Sequence, residues 1–167
     1  MSLRTRALPP HLPAQWRDAS KPKWQALDAW RKSFKAEHGR EPRVWIDKCC
    51  VDQQAIDESL AGLPVYLAGC KTLLVTAGKT YPARLWCCME LFTFMAMGGA
   101  VERVNIKRLD LDVSETEHLL NSFEVQQANC YLQSDRQRLM AVVEAAYGEV
   151  EAFNRVVRGL FRACLKH

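Results

Sequence analysis

The sequence predicts an α/β domain: a short parallel sheet with helices on both faces, followed by extra helices at the C-terminus. Two observations carry that expectation. Helix-period and strand-like segments alternate through the first two thirds of the chain. The strand-like segment Leu73-Leu74-Val75 is a continuous apolar run, as in parallel strands covered on both faces.

Each element has its own signal. Residues 1–22 hold Pro9, Pro10, Pro13 and Pro22 and read as an irregular arm, so the single domain is expected over 23–167. From Lys23 to His38, Trp24, Leu27, Trp30 and Phe34 recur three and four apart, one face of a helix, with Gly39 placed to cap it. Val44-Trp45-Ile46 predicts a short buried strand, closed by Asp47 and Lys48. A second helix is expected within Ala55–Cys70, interrupted around Pro64, and a second strand at Leu73-Leu74-Val75. Gly78 to Pro82 turns the chain into an apolar helix from Ala83 to Met97, ended by Gly98-Gly99. Arg103–Leu109, with Val104 and Ile106 facing one way, predicts a weaker strand. The rest is expected to be helical, with capping boxes at Ser114/Glu117 and Ser134/Gln137. Its last helix carries an apolar stripe of Val150, Phe153, Val157, Leu160 and Cys164.

Composition narrows the function classes. At 167 residues, 49% apolar and 25% charged, the chain is neither disordered nor fibrous. The net charge of +4 permits an anionic ligand without demanding nucleic acid, since Lys and Arg are scattered. Arg155, Arg158, Arg162 and Lys166 share one helical face, expected to be solvated. No apolar run reaches the roughly 18 residues of a membrane span. The longest candidate, Leu85–Val101, carries Glu90, and the N-terminus lacks the apolar stretch of a secretory leader, so a cytoplasmic location is expected. The seven cysteines are odd in number and include the neighbours Cys49-Cys50 and Cys87-Cys88; reduced thiols are expected, and no zinc-ligand spacing occurs.

Parallel sheets bind ligands beyond the carboxyl ends of their strands. Two segments fall there, Asp47–Gln54 and Ala77–Trp86. Between Arg84 and Glu102, Glu90 is the only ionisable residue apart from the thiols. A carboxylate on so apolar a helix is expected to be partly buried, which raises the cost of its charge. It is therefore either paired structurally, with Arg84 or Lys48, or kept for chemistry. Trp45 and Trp86 fit core positions or the walls of a pocket, and Asp52 fits a helix cap. Phosphate-loop, dinucleotide-fingerprint, nucleophile-elbow and zinc-protease motifs are absent.

The segment Val44-Trp45-Ile46-Asp47-Lys48-Cys49-Cys50-Val51-Asp52-Gln53 resembles the Trp-Ile-Asp-x-x-Cys-Ile-x-Gln motif of fungal heterokaryon-incompatibility and related TIR-like (Toll/interleukin-1-receptor-like) proteins. Arg84-Leu85-Trp86-Cys87-Cys88-Met89-Glu90-Leu91 is similar to the Trp-Cys-x-x-Glu-Leu helix of TIR domains. The resemblance covers about Lys23–Ile106 and implies a flavodoxin-like, three-layer fold. It implies that Glu90 is catalytic in cleaving the nicotinamide–ribose bond of NAD⁺, which is a substrate, with no cofactor or metal. By the same token Trp45, Tyr81 and Trp86 would shape or stack the site, with Arg84 among the substrate-binding residues and Asp47 and Lys48 on the polar rim. A signalling or cell-death role, self-association and pairing with other TIR-like domains also follow from the resemblance, as an enzyme or as a non-catalytic module. One departure stands out. TIR domains open with a central strand before the first helix, whereas here that stretch is LPPHLPAQWRDASKP, whose prolines cannot supply ladder donors.

Overall fold

The structure, a computed structural model, describes residues 19–46 and 56–166. It is a small α/β fold of six α-helices and two strands among those residues. In chain order these are α1 (Ser20–His38), α2 (Ile56–Ala68), β1 (Leu73–Ala77), α3 (Leu85–Ala96), β2 (Val104–Arg108), α4 (Val113–Asn121), α5 (Gln133–Tyr147) and α6 (Val150–Leu165). A single 3-10 turn, Val101–Arg103, leads into β2.

Strands β1 and β2 pair in parallel, with Val75 opposite Ile106, and α3 is the crossover between them. A parallel pair needs such a connection, because a tight turn can only reverse the chain. Helix α3 is apolar nearly all round, so it lies inside: Leu85, Cys88, Met89, Leu91 and Phe94 are buried. Helix α6 covers the core from another side: Phe153, Val157 and Cys164 of its predicted stripe are buried, Val150 and Leu160 only partly, and Phe161, outside the stripe, is buried with them. Phe153 meets Phe92, Phe123 and Tyr147 edge-on, with centroids 5.4, 6.4 and 5.5 Å away.

Helix α1 ends as its sequence predicts: Gly39 takes φ +68°, and its N–H donates to Lys35 O at 2.9 Å. It starts earlier than expected, at Ser20, because a proline such as Pro22 is tolerated in the first turn, where no intrahelical donor is needed. Gly99 is also required by its surroundings. A Cβ there would meet the Phe94 carbonyl oxygen and ring at 2.6 Å, and backbone cannot swing aside. Gly99→Ala should therefore lower stability by about 1–3 kcal/mol in a denaturant titration; an unchanged midpoint would contradict this packing.

Several expectations are corrected. Val44–Ile46 forms no strand; Val44 is 51% exposed and Ile46 39%. A strand is held by a ladder neighbour, and beside these residues lies an open cleft rather than another strand. Helix α2 runs through Pro64 without the expected interruption. The capping box forms at Asp112/Glu115 rather than Ser114/Glu117: Glu115 N–H donates to Asp112 Oδ1 at 2.7 Å and Asp112 N–H to Glu115 Oε2 at 2.9 Å. A carboxylate cap is favoured by the helix dipole, and Ser114 falls inside the helix. At α5, Leu132 holds the cap position without a side-chain bond, so no box forms at Ser134. Arg158 leaves the solvated face expected of it. Its Nε donates to Phe123 O at 2.8 Å and it pairs with Glu124 and Glu151, which ties α6 to the loop before α5. Asn154, fully buried beside it, accepts from Val125 N–H at 2.8 Å and donates to Glu124 at 2.7 Å. Among the described residues, no helix is long and apolar enough to cross a membrane.

Candidate functional site

Beyond the carboxyl end of β1 the chain turns through Gly78–Ala83 into α3. Tyr81 N–H donates to Gly78 O at 3.0 Å, and Arg84 N–H to Tyr81 O at 3.2 Å. A distant segment then clamps the helix entrance: Leu85 N–H donates to Asn129 O at 3.0 Å, and Asn129 N–H to Ala83 O at 2.9 Å. This sets the rotation of α3 about its axis. Arg84, Cys87 and Glu90, spaced by three, fall on one face, and all three line a cleft of about 1440 Å³. The core residues Leu85, Cys88 and Leu91 occupy the buried side.

The cleft is bounded by the apolar stripe of α1, by Pro42–Ile46, by the start of β1 and by the α3 face. Glu90, half-buried, is the only acidic residue lining it among the described residues. Basic residues outnumber it on the same walls: Lys21, Lys23, Arg40, Arg43, Lys71 and Arg84. Aromatic surface is also present. Trp45 stacks on Tyr66 with centroids 5.6 Å apart and planes 21° from parallel. The Trp45 indole Nε1 is buried and meets no hydrogen-bond partner among the described residues. A buried donor of this kind costs roughly 1–3 kcal/mol unless something accepts from it.

Of the residues expected at the site, the structure brings Trp45, Tyr81, Arg84 and Glu90 to one cleft. Asp47 and Lys48 lie outside the described residues. Trp86 does not line the cleft; it is partly buried against the hydrophobic core. Tyr81 is a wall rather than a reacting group. It is 5% exposed, and its hydroxyl donates to Cys87 O at 3.1 Å. Burial, then the neighbouring Cys87, Cys88 and Glu90, pushes its pKa well above the usual phenol range. Sequence reasoning missed Tyr66, which carries no local signal, and Arg40 and Arg43, whose closeness in HGREPR was a usable one.

Among the described residues, Cys70, Cys87, Cys88, Cys130 and Cys164 form no disulfide; Cys49 and Cys50 lie outside those residues. Burial pushes Cys130 up to about 12 and Cys164 to about 11, from 9.0. Groups that stay neutral in the fold but ionise near pH 9.0 when unfolded stabilise it below that pH. That stability is lost as the pH climbs towards the folded values. The melting temperature should therefore fall above about pH 9. At pH 8, alkylation followed by mass spectrometry should modify Cys70 before Cys88, Cys130 or Cys164. Rapid native labelling of Cys130 would contradict this assignment.

Comparison with known protein families, with curated proteins and with solved structures finds no match for this chain.

Proposed function

We propose that the chain is a TIR-like NAD⁺ nucleosidase acting in signalling or cell death, with Glu90 as its catalytic carboxylate. The observation that carries this reading is the placement of Glu90 on a large cleft, on the helix that follows β1, beside Arg84 and Tyr81. Two sequence motifs in TIR-like order support it. The three-layer, flavodoxin-like arrangement belongs to the same proposal, with the sheet completed beyond its two strands.

In the reaction, the bond between C1′ of the ribose and the nicotinamide nitrogen breaks, and its electron pair leaves with nicotinamide. The positive charge that develops on the ribose is stabilised by the Glu90 carboxylate. Water then bonds to C1′, and its proton passes to the carboxylate and on to solvent, giving ADP-ribose. Trp45 and Tyr66 offer a stacking surface for the planar groups of the substrate. Arg84 and the basic wall suit its two phosphates. Trp86 is left out of substrate contact, since the cleft does not reach it; Asp47 and Lys48 are assigned to the rim through the motif alone.

A second reading, a module that self-associates without catalysis, is favoured by exposed apolar side chains: Trp24 at 66%, Val65 at 71% and Tyr66 at 46%. Incubation with NAD⁺ and chromatography of nicotinamide separates the two. The nucleosidase reading expects release above the buffer rate; intact NAD⁺ together with concentration-dependent dimers in sedimentation supports the module instead.

A further inference from the structure

We infer that the cleft is also the slot for a β-strand: an extended segment of another polypeptide, apolar along its length and acidic at its ends, adds to the open edge of β1. The inference does not rest on NAD⁺ cleavage. The slot runs along β1 and shares its Trp45 wall with the proposed nucleotide site.

The first ground is which residues border the cleft. Leu73, Leu74, Val75 and Thr76 all line it, without a gap. Side chains alternate between the faces of a strand, so a cleft over one face meets every second residue. Contact with four in a row means that the edge of β1 borders the opening. The opposite wall has the same character, for Arg43, Val44, Trp45 and Ile46 also follow one another. A strand between the two walls would find backbone on both sides.

The second ground is that this edge is open. β1 reads Leu-Leu-Val-Thr-Ala, with no charge or proline to blunt its edge, and among the described residues it pairs with β2 alone. An apolar, unblunted edge is a template for another chain. Across the opening, α1 presents Trp24, Leu27, Trp30 and Phe34 but buries no residue fully. An amphipathic stripe of that strength ordinarily packs against something. The cleft, at about 1440 Å³, also exceeds the roughly 300–1,000 Å³ of small-molecule pockets.

Charge then selects the occupant. Lys21, Lys23, Arg40, Arg43 and Lys71 lie on the walls of the cleft, whereas the one acidic lining residue among the described residues, Glu90, stands on α3. A segment with acidic ends complements this field, and a basic one is repelled. The buried Trp45 Nε1 donor supplies a further point of attachment for a backbone carbonyl.

The test uses the full chain and three synthetic nine-residue peptides: five alternating Val and Thr flanked by paired Glu, the same core flanked by Lys, and the Glu peptide with Pro at its centre. Binding is followed by tryptophan fluorescence, and the edge by hydrogen exchange. The Glu peptide should slow exchange in Leu73–Thr76 and bind at least tenfold more tightly than the Lys peptide; the Pro peptide should give no protection. Arg43→Glu, at an exposed position, should reduce or invert the charge preference while leaving the circular dichroism unchanged. The inference is overturned if no peptide protects β1. It is equally overturned if the open-edge amides are already slow in dilute, peptide-free protein, which means the slot is filled within the chain. Protection that grows with protein concentration alone assigns the slot to a second copy and also overturns it.

Discussion

Glu90→Gln should reduce nicotinamide release from NAD⁺ by about a hundredfold or more, equivalent to roughly 3 kcal/mol of transition-state stabilisation. The substitution keeps the shape of the side chain and removes the charge that faces the developing oxocarbenium ion. Release should fall in turnover rather than in apparent affinity, because the charge matters most once the glycosidic bond is breaking. The stacking surface of Trp45 and Tyr66 and the basic walls remain in place, so NAD⁺ should still bind. A melting temperature close to wild type would separate loss of chemistry from loss of fold. Equal release by both proteins would remove Glu90 from the mechanism.

Phe153→Ala should cost about 3–5 kcal/mol, the range for emptying an aromatic site in a packed core. The ring is fully buried and sits at the centre of contacts that join α3, α5, α6 and the loop after α4, through Phe92, Tyr147 and Phe123. No single neighbour can move into the space without giving up its own edge-to-face partner. Domains of this size hold only about 5–15 kcal/mol of net stability, so the variant should melt roughly 6–20 °C lower and approach the limit of folding. Val156→Ala, three residues on and 38% exposed, should change stability by less than about 0.5 kcal/mol. Similar midpoints for the two variants in urea would contradict the aromatic core described for α6.

What was legible in the sequence is what local pattern controls. The α1 stripe and its Gly39 cap, the apolar run of β1, the alternation of Val104 and Ile106 in β2, and the inward faces of α3 and α6 follow from spacing alone. For Glu90 the sequence left two outcomes open, a structural pair or a place kept for chemistry, and only the fold sets it on the wall of the cleft. What failed depends on partners distant in the chain. Val44–Ile46 has strand composition, but pairing needs a neighbour that the described fold does not place beside it. Arg158 reads as a surface residue until Phe123 O, Glu124 and Glu151 come within reach. Trp86 and Cys87 are adjacent, and only the clamp at Asn129 decides which of the two faces the cleft. At α4, two acceptable caps lay two residues apart, and the charged one prevailed.

The most direct measurement of the central claim is the position of NAD⁺ in a crystal of the Glu90→Gln variant, slowed enough to hold its substrate. The account predicts the nicotinamide ribose in the cleft between Trp45 and α3, with the residue 90 amide within about 3–4 Å of the anomeric carbon. Nucleotide bound elsewhere, or a cleft that stays without nucleotide at saturating NAD⁺, would contradict it.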